Sequence, residues 1–437
     1  MQGGKLRTAS GTPSYGPALA LLATLFFMWG FITVINDSLL PHLKSVFQLN
    51  YFETTLIQSV WFIGYFVASI PAAKLIERIG YHKALVVGLA IMTIGSLGMI
   101  PAARIPSYYV TLVALFVVAC GIAILQVAAN PYVAVIGPEE TAESRLTLVQ
   151  AFNTTGDFLA VIFGQQLILA RTVSGTTLEG TQLSYAQRMA DAQATQLPYL
   201  IVAGVLAVLA FLIWRARLPE LGAATRRVNA EERKNLSLWN HRNLVLGVIA
   251  IFVYLIAEIG VGSLFINFAS QPDIANVTHD QAADYLKFVW GGMMVGRFVG
   301  AWIMRKIAPE KVLAAFALGA FIVMTIASFA HGPTAMYAMM AVGLFHSIMF
   351  PTIFALAIRG LGPLTEEGSG WLIWAIVGGA LVSGQGWLAD NAIGLQHSFL
   401  ITVACELFVL YYALWGARVQ EQLPPERLVP EGAGELP

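Results

Sequence analysis

Twelve apolar runs, each close to the ~20 residues a helix needs to cross a hydrocarbon core, decide what this chain can become. They fall at 18–41, 54–76, 82–103, 108–136, 145–170, 197–217, 243–270, 281–304, 311–331, 334–358, 368–390 and 395–417, divided by short polar or Pro/Gly-marked breaks. With 57% hydrophobic residues, 11% charged residues and a mean hydropathy of +0.70, a 437-residue chain has too little polar surface to coat a soluble globule. The expected fold class is all-α integral membrane, twelve transmembrane helices arranged as two six-helix bundles.

The layout of lysine and arginine orients the chain. With the N-terminus placed in the cytoplasm, about nineteen of the 25 basic residues fall in inside loops. Lys44, Arg104, Arg171, Arg188 and Lys287 fall outside, and Arg297 lies within a helix. Both termini are therefore expected on the cytoplasmic face of a cell (inner) membrane. The tail MQGGKLRTASGTPS lacks a small-residue cleavage pattern, so the first run reads as a retained helix. The densest basic stretch lies around 215–242 and divides the chain into 1–217, a linker 218–242, and 243–437. The segment 172–196 and the tail from 418 carry no recognisable chemistry. Cys120 and Cys405 both sit in apolar runs, which excludes a disulfide scaffold or a CxxC metal site. No HExxH, GxSxG or CxxC pattern occurs at membrane depth, which argues against an intramembrane enzyme; no cofactor is expected.

The halves show weak internal similarity. Basic residues recur at equal spacing in the stretch from Ala73 to Lys83 and in that from Ala301 to Lys311, and Gly64 and Gly292 precede each by similar distances. Ala73, Glu77, Arg78, Gly80 and Lys83 form a pattern that resembles the loop-two signature of the major facilitator superfamily, with Ala for the usual Gly and Glu for the usual Asp. A second set covers most of the chain: Asn36-Asp37 with Pro41, Gln58-Ser59, Gln126 with Asn130-Pro131-Tyr132, Gly137-Pro138-Glu139, Arg145 with Gln150 and Phe152-Asn153, and Phe350-Pro351-Thr352. Together they resemble the fucose/galactose/glucose:cation symporter family of that superfamily. The resemblance implies alternating access by two six-helix bundles rocking about a central sugar site, driven by a co-transported cation.

Asp37 sits in an otherwise lipid-compatible helix, where an ionised carboxylate costs several kcal/mol unless a cavity, a partner or a proton rescues it. It either takes up and releases a proton as the cavity changes face, or bonds Asn36 and nearby backbone and only shapes the helix; the resemblance implies the former. Glu258 lies mid-helix in the seventh run, and Asp157 lies four residues beyond Asn153, on the same helical face. Each is a coupling candidate or a neutralising partner of Arg297. Asp157 with Asn153 and Thr154 offers hard oxygen ligands of the kind Na+ accepts, so sodium competes with the favoured proton. Gln126 stands where the resemblance implies a glutamate in fucose-carrying members; an amide has no titratable proton but bonds sugar hydroxyls or bridges helices. This Gln-containing version is similar to that of members named for glucose and galactose.

A monosaccharide needs amides and acids for its hydroxyls and aromatic faces for its C–H side. Asn36, Gln126, Gln150, Asn153, Glu258, Asn267 and His346 form the polar list; Trp29 and Trp374 lead an aromatic list with Phe31, Trp290 and Trp371. His346 reads equally as a satisfied interior histidine, and Glu406 has no assigned role. Pro131 and Pro351 remove backbone bonds at matching places in the fourth and tenth runs. Glu77, Arg78, Arg145 and Arg305 are expected to make contacts at the cytoplasmic end that favour an outward-open state. The functional expectation is a secondary active, proton-coupled symporter of a monosaccharide such as glucose or galactose. The alternatives are sodium coupling, or export of small metabolites or drugs on the same fold. The implied partners are the sugar, H+ or Na+, and lipid, with no nucleic acid and a monomeric chain.

Overall fold

The computed structural model describes residues 15–47, 51–104, 107–169, 196–216, 218, 237–419 and isolated positions between 184 and 193; the side chains of 35–47, 51–58, 161–169 and 280 lie outside the description. Among the described residues the regular structure is entirely helical. The spans are α1 Gly16–Phe47, α2 Tyr51–Ile79, α3 Tyr81–Arg104, α4 Tyr108–Val135, α5 Ala142–Leu169 and α6 Gln196–Arg215. They continue with α7 Arg242–Ala269, α8 His279–Ile303, α9 Pro309–Phe329, α10 Pro333–Ile358, α11 over 365–393 and α12 Leu400–Gly416. Each expected run is a helix. The largest boundary difference is α1, which runs six residues beyond position 41, because backbone hydrogen bonding continues past the end of the apolar stretch.

The helices pair twice in one pattern. α1 packs on α5, α3 on α4, α3 on α6, and α2 on α4; α7 packs on α11, α9 on α10, α9 on α12, and α8 on α10. Adding six to each helix number turns the first set into the second. The same exchange maps the contact of α5 with α8 onto that of α11 with α2, and α5 with α10 onto α11 with α4. A pseudo-twofold relation thus connects the two sets of six, the spatial counterpart of the weak internal repeat.

Among the described residues, nine helical stretches are long and apolar enough to cross a membrane by themselves. Over their described residues, α5 and α8 are the long helices outside that set, and their polar content explains it: Gln150, Asn153 and Asp157 on one, Arg297 on the other. These two helices pack on each other. Without a strong hydrophobic drive between helices in lipid, close approach rests on small residues. A methyl group added at Gly156 would collide with the Phe27 carbonyl oxygen of α1, and one at Gly343 with that of Val289 in α8. Gly156→Leu is expected to cost about 1–3 kcal/mol or more by overpacking, seen as a lower melting temperature of the detergent-solubilised protein.

α10 and α11 depart from regular α-helix in mid-span. α10 is interrupted at Ser347–Ile348, between Pro333–His346 and Met349–Ile358. Pro351 has no N–H to offer the Ser347 carbonyl four residues earlier, and that carbonyl accepts instead from Arg297 Nε at 2.9 Å. α4 runs unbroken through Pro131, so the two prolines are not equivalent as the matching positions suggested. α11 carries a seven-residue 3₁₀ stretch, Ala375–Leu381, where Gly378 and Gly379 lie against the Phe252 carbonyl and the Phe62 ring. A long mid-span 3₁₀ segment often marks a hinge.

At the end where α2, α4, α8 and α10 finish, here called the base, the two sets of helices are joined. Arg359 places Nη2 2.6 Å from Glu143 Oε1 at the start of α5 and Nη1 2.6 Å from Glu310 Oε1 at the start of α9. Ser144 donates to the Ala301 carbonyl at 2.6 Å, and Gly370 sits against Ser69 and Ala73. The expectation for the charged loops is corrected in part. Arg145 turns into its own half and caps the end of α4, donating to the carbonyls of Val133, Ala134 and Pro138, while Arg78 and Arg305 are exposed. Gly80, with φ +82°, makes the one-residue reversal between α2 and α3 and explains the glycine in the loop-two pattern.

Candidate functional site

The centre of the bundle is organised by one guanidinium. Arg297, buried on α8, donates through Nη1 to the Gln150 carbonyl at 3.0 Å and to the Thr154 hydroxyl, both on α5, and through Nε to Ser347 on α10. It thereby ties α5 to α8 and α10. Gln150 continues the network, its Nε2 lying 3.1 Å from Asn130 Oδ1 of α4.

Behind Arg297 stands an acidic and aromatic group from α7, α10 and α12. Tyr254 donates to the His346 carbonyl at 3.0 Å, using the second carbonyl at the α10 break, and its ring meets the imidazole edge-on at 5.6 Å. Glu258, one turn along α7 from Tyr254, lies within electrostatic reach of Arg297 and His346. It is half-buried, whereas its partners are enclosed. His346 Nε2 lies 2.7 Å from Glu406 Oε1 on α12, both side chains being nearly inaccessible.

The first half presents amides and an acid to α1. Asn153 Nδ2 donates to the Phe26 carbonyl at 2.9 Å. A methyl group at Gly30 would meet Asp157 Oδ1 at 2.6 Å and Asn153 Nδ2 at 2.8 Å, so both side chains project onto α1, as their four-residue spacing requires. Gln126 is buried on α4 and donates to the Tyr65 hydroxyl at 2.7 Å.

The structure therefore brings Gln150, Glu258 and His346 into one connected group around Arg297, and Asn153 with Asp157 into a second against α1. Trp29 is buried beside Phe26, with ring centroids 5.3 Å apart. Trp374, half-buried, spans the halves between Phe66 of α2 at 5.4 Å and Trp371 at 5.6 Å. Asn267 is exposed near the end of α7, apart from both groups. Asn36 and Asp37 lie within α1, but their side chains fall outside the described residues. Sequence reasoning missed Tyr65 and Tyr254, named Thr154 only as a possible sodium ligand, and gave Glu406 no role. A polar residue on a span otherwise as apolar as α12 was the available signal.

Twelve spans in two sets of six related by a pseudo-twofold, with buried charges where the sets meet, define a polytopic membrane transporter. The model of the Major Facilitator Superfamily matches residues 18–384, and the chain belongs to that family. It is 47% identical over 410 residues to a glucose/galactose transporter of Brucella abortus, covering 94% of this chain and 96% of the relative. The L-fucose-proton symporter of Escherichia coli is 35% identical over 416 residues, covering 93% and 94%. A crystal structure of the Major Facilitator Superfamily transporter FucP in the outward conformation superposes with a TM-score of 0.84 at 35% identity, covering 92% of this chain and 98% of that one.

Proposed function

We propose that this transporter carries a monosaccharide of the glucose/galactose class together with a proton, by alternating access, with 1–217 and 243–437 moving as two bundles joined by 218–242. The carrying observation is Glu258: a half-buried carboxylate in mid-span, one helix away from the buried mid-span guanidinium of Arg297, which itself reaches across to the other half. A carboxylate there is charged or neutral according to whether water reaches it, which is what coupling demands. The similarity to relatives named for glucose/galactose and for L-fucose with a proton supports the substrate class and the cation.

In this reading Gln126, Gln150, Asn153 and Glu258 supply donors and acceptors for sugar hydroxyls, and Trp374 supplies an aromatic face. Trp29, His346, Asn267 and Asn36 complete the candidate lining. Asp37, Asp157 and Glu258 hold the coupling cation, with Asp157 beside Asn153 the place a sodium ion would take if the cation is not a proton. The joined base is the cytoplasmic side, closed in an outward-facing state, and the protein spans the inner membrane with both ends inside, functioning as a monomer.

The test is uptake of labelled glucose, galactose and fucose into proteoliposomes under imposed pH or Na+ gradients. The parent is expected to accumulate glucose or galactose under an inward proton gradient and not under a sodium gradient alone. Asp37→Asn, Asp157→Asn and Glu258→Gln are compared in the same assay, and at least one is expected to lose accumulation tenfold or more while still exchanging sugar. Accumulation intact in all three removes the carboxylate account.

A further inference from the structure

The pair His346–Glu406 is enclosed at the far side of Arg297 from α5, and packing alone does not explain it. Glu406 is fully buried on α12, and only one of its oxygens is engaged: Oε1 meets His346 Nε2, while Oε2 is enclosed without a hydrogen-bond partner. A carboxylate with one oxygen left bare is an expensive structural strut, since an orphaned buried polar atom carries its full desolvation cost. A glutamine would make the same contact to the imidazole without a buried charge.

Among the described residues, the charged and titratable groups facing this pair are few. α7 contributes Tyr254 and Glu258, α8 contributes Arg297, α12 adds Cys405 beside Glu406, and α9, which packs on both α10 and α12, has no titratable side chain between Val312 and Phe329. Tyrosine and cysteine stay neutral in such surroundings, which leaves one fixed positive charge, two carboxyl groups and one imidazole. With both carboxyls ionised and the imidazole neutral, the group carries a net charge of minus one. One added proton brings it to zero. The proton can rest on His346 or on Glu258 with the same total charge, because moving it from the imidazolium to the Glu258 carboxylate removes one positive and one negative charge together. Water-excluded interiors favour neutrality strongly.

We propose that Glu258, His346 and Glu406, set around Arg297, hold one exchangeable proton in common, with the enclosed His346–Glu406 pair as its deep seat and half-buried Glu258 as its exchange point with the sugar pathway. Glu406 acts through the others as a positioning residue: its charge makes the empty group one proton short of neutrality. This inference deepens the proton-coupled reading above and rests on it.

The discriminating experiment compares Glu406→Gln and Glu406→Asp in the full chain, reconstituted in proteoliposomes, with pH-driven glucose accumulation and glucose counterflow measured side by side. Gln keeps the length and the acceptor but leaves the group neutral without a proton. Accumulation is expected to fall tenfold or more while counterflow stays within threefold; Asp keeps the titratable group, and at least a third of parental accumulation is expected to return. A strut would rank the variants the other way, Gln near parental and Asp worse, and that order overturns the proposal, as does a parallel fall of both readouts in Gln. His346→Gln provides a second handle if Glu406→Gln proves unstable: a shift of one pH unit or more in the midpoint of accumulation is expected, and an unchanged midpoint overturns the proposal. A parent without any pH-driven accumulation would instead fail the proton reading itself.

Discussion

Arg297→Met is expected to lower gradient-driven sugar uptake by at least a hundredfold and to cut the melting temperature of the purified protein. Three acceptors depend on this guanidinium: the Ser347 carbonyl at 2.9 Å, the Gln150 carbonyl at 3.0 Å and the Thr154 hydroxyl. Pro351 cannot supply a donor to Ser347, so that carbonyl becomes an orphan at the α10 break. Glu258 and Glu406 lose the one fixed positive charge that faces them among the described residues. Removing one partner from a buried ionic set costs about 3–5 kcal/mol, and each ~1.4 kcal/mol is a factor of ten in population. Arg297→Lys separates charge from geometry. An ammonium keeps the compensation but cannot fork between α5 and α10, so uptake is expected to fall about tenfold, between parent and Met. Met within threefold of the parent in the same proteoliposome assay would show that Arg297 carries none of this.

Much of this arrangement is written locally in the sequence, and the part that is not has a common cause. The spans are legible because lipid imposes one requirement, about 20 apolar residues per helix, and the chain meets it twelve times. Asn153 and Asp157 fall on one face because four residues make roughly one turn, and both do face α1. The tie between Ser347 and Arg297 was also within reach, since a proline at 351 frees the carbonyl at 347 by the same arithmetic. What a linear reading loses is pairing over distance. Glu143 and Arg359 are separated by 216 positions, Arg297 and Gln150 by 147, and nothing in the neighbourhood of any of them names the other. Arg145 looked like a gate because it is a basic residue near a loop; three carbonyls at and just beyond the end of α4, those of Val133, Ala134 and Pro138, claim it first. Tyr65 and Tyr254 were hidden for another reason. A tyrosine in an apolar run counts as packing by composition, and only its hydroxyl partner, Gln126 in one case and the His346 carbonyl in the other, reveals the polar use.

Arg359→Gln is expected to release the base. Burial by itself would lower the Arg359 guanidinium, but Glu143 and Glu310 outweigh it and hold the group above its ordinary value, so the three form a favourable set while the halves are joined. The two acids differ in what they risk. Glu310 belongs to the same half and is partly exposed, whereas Glu143 comes from α5, is 1% exposed, and has Oε2 without any partner even now. With glutamine at 359, Glu143 is a stranded charge only in the joined state, because separation of the halves gives it water. A penalty of about 3 kcal/mol confined to one state moves the equilibrium between states by about a hundredfold. A single cysteine at Ser144, introduced with Cys120 and Cys405 replaced by serine, reports the change, since that side chain is buried between halves where it meets the Ala301 carbonyl. Its labelling by a membrane-impermeant maleimide from the base side is expected to quicken tenfold or more in Arg359→Gln. Adding Glu143→Gln removes the stranded charge, and the rate is expected to return most of the way to the parent's, since neither state is then penalised. A labelling rate unchanged by Arg359→Gln would mean that Ser144 and the Gly370 contact hold the base shut without the ion pair.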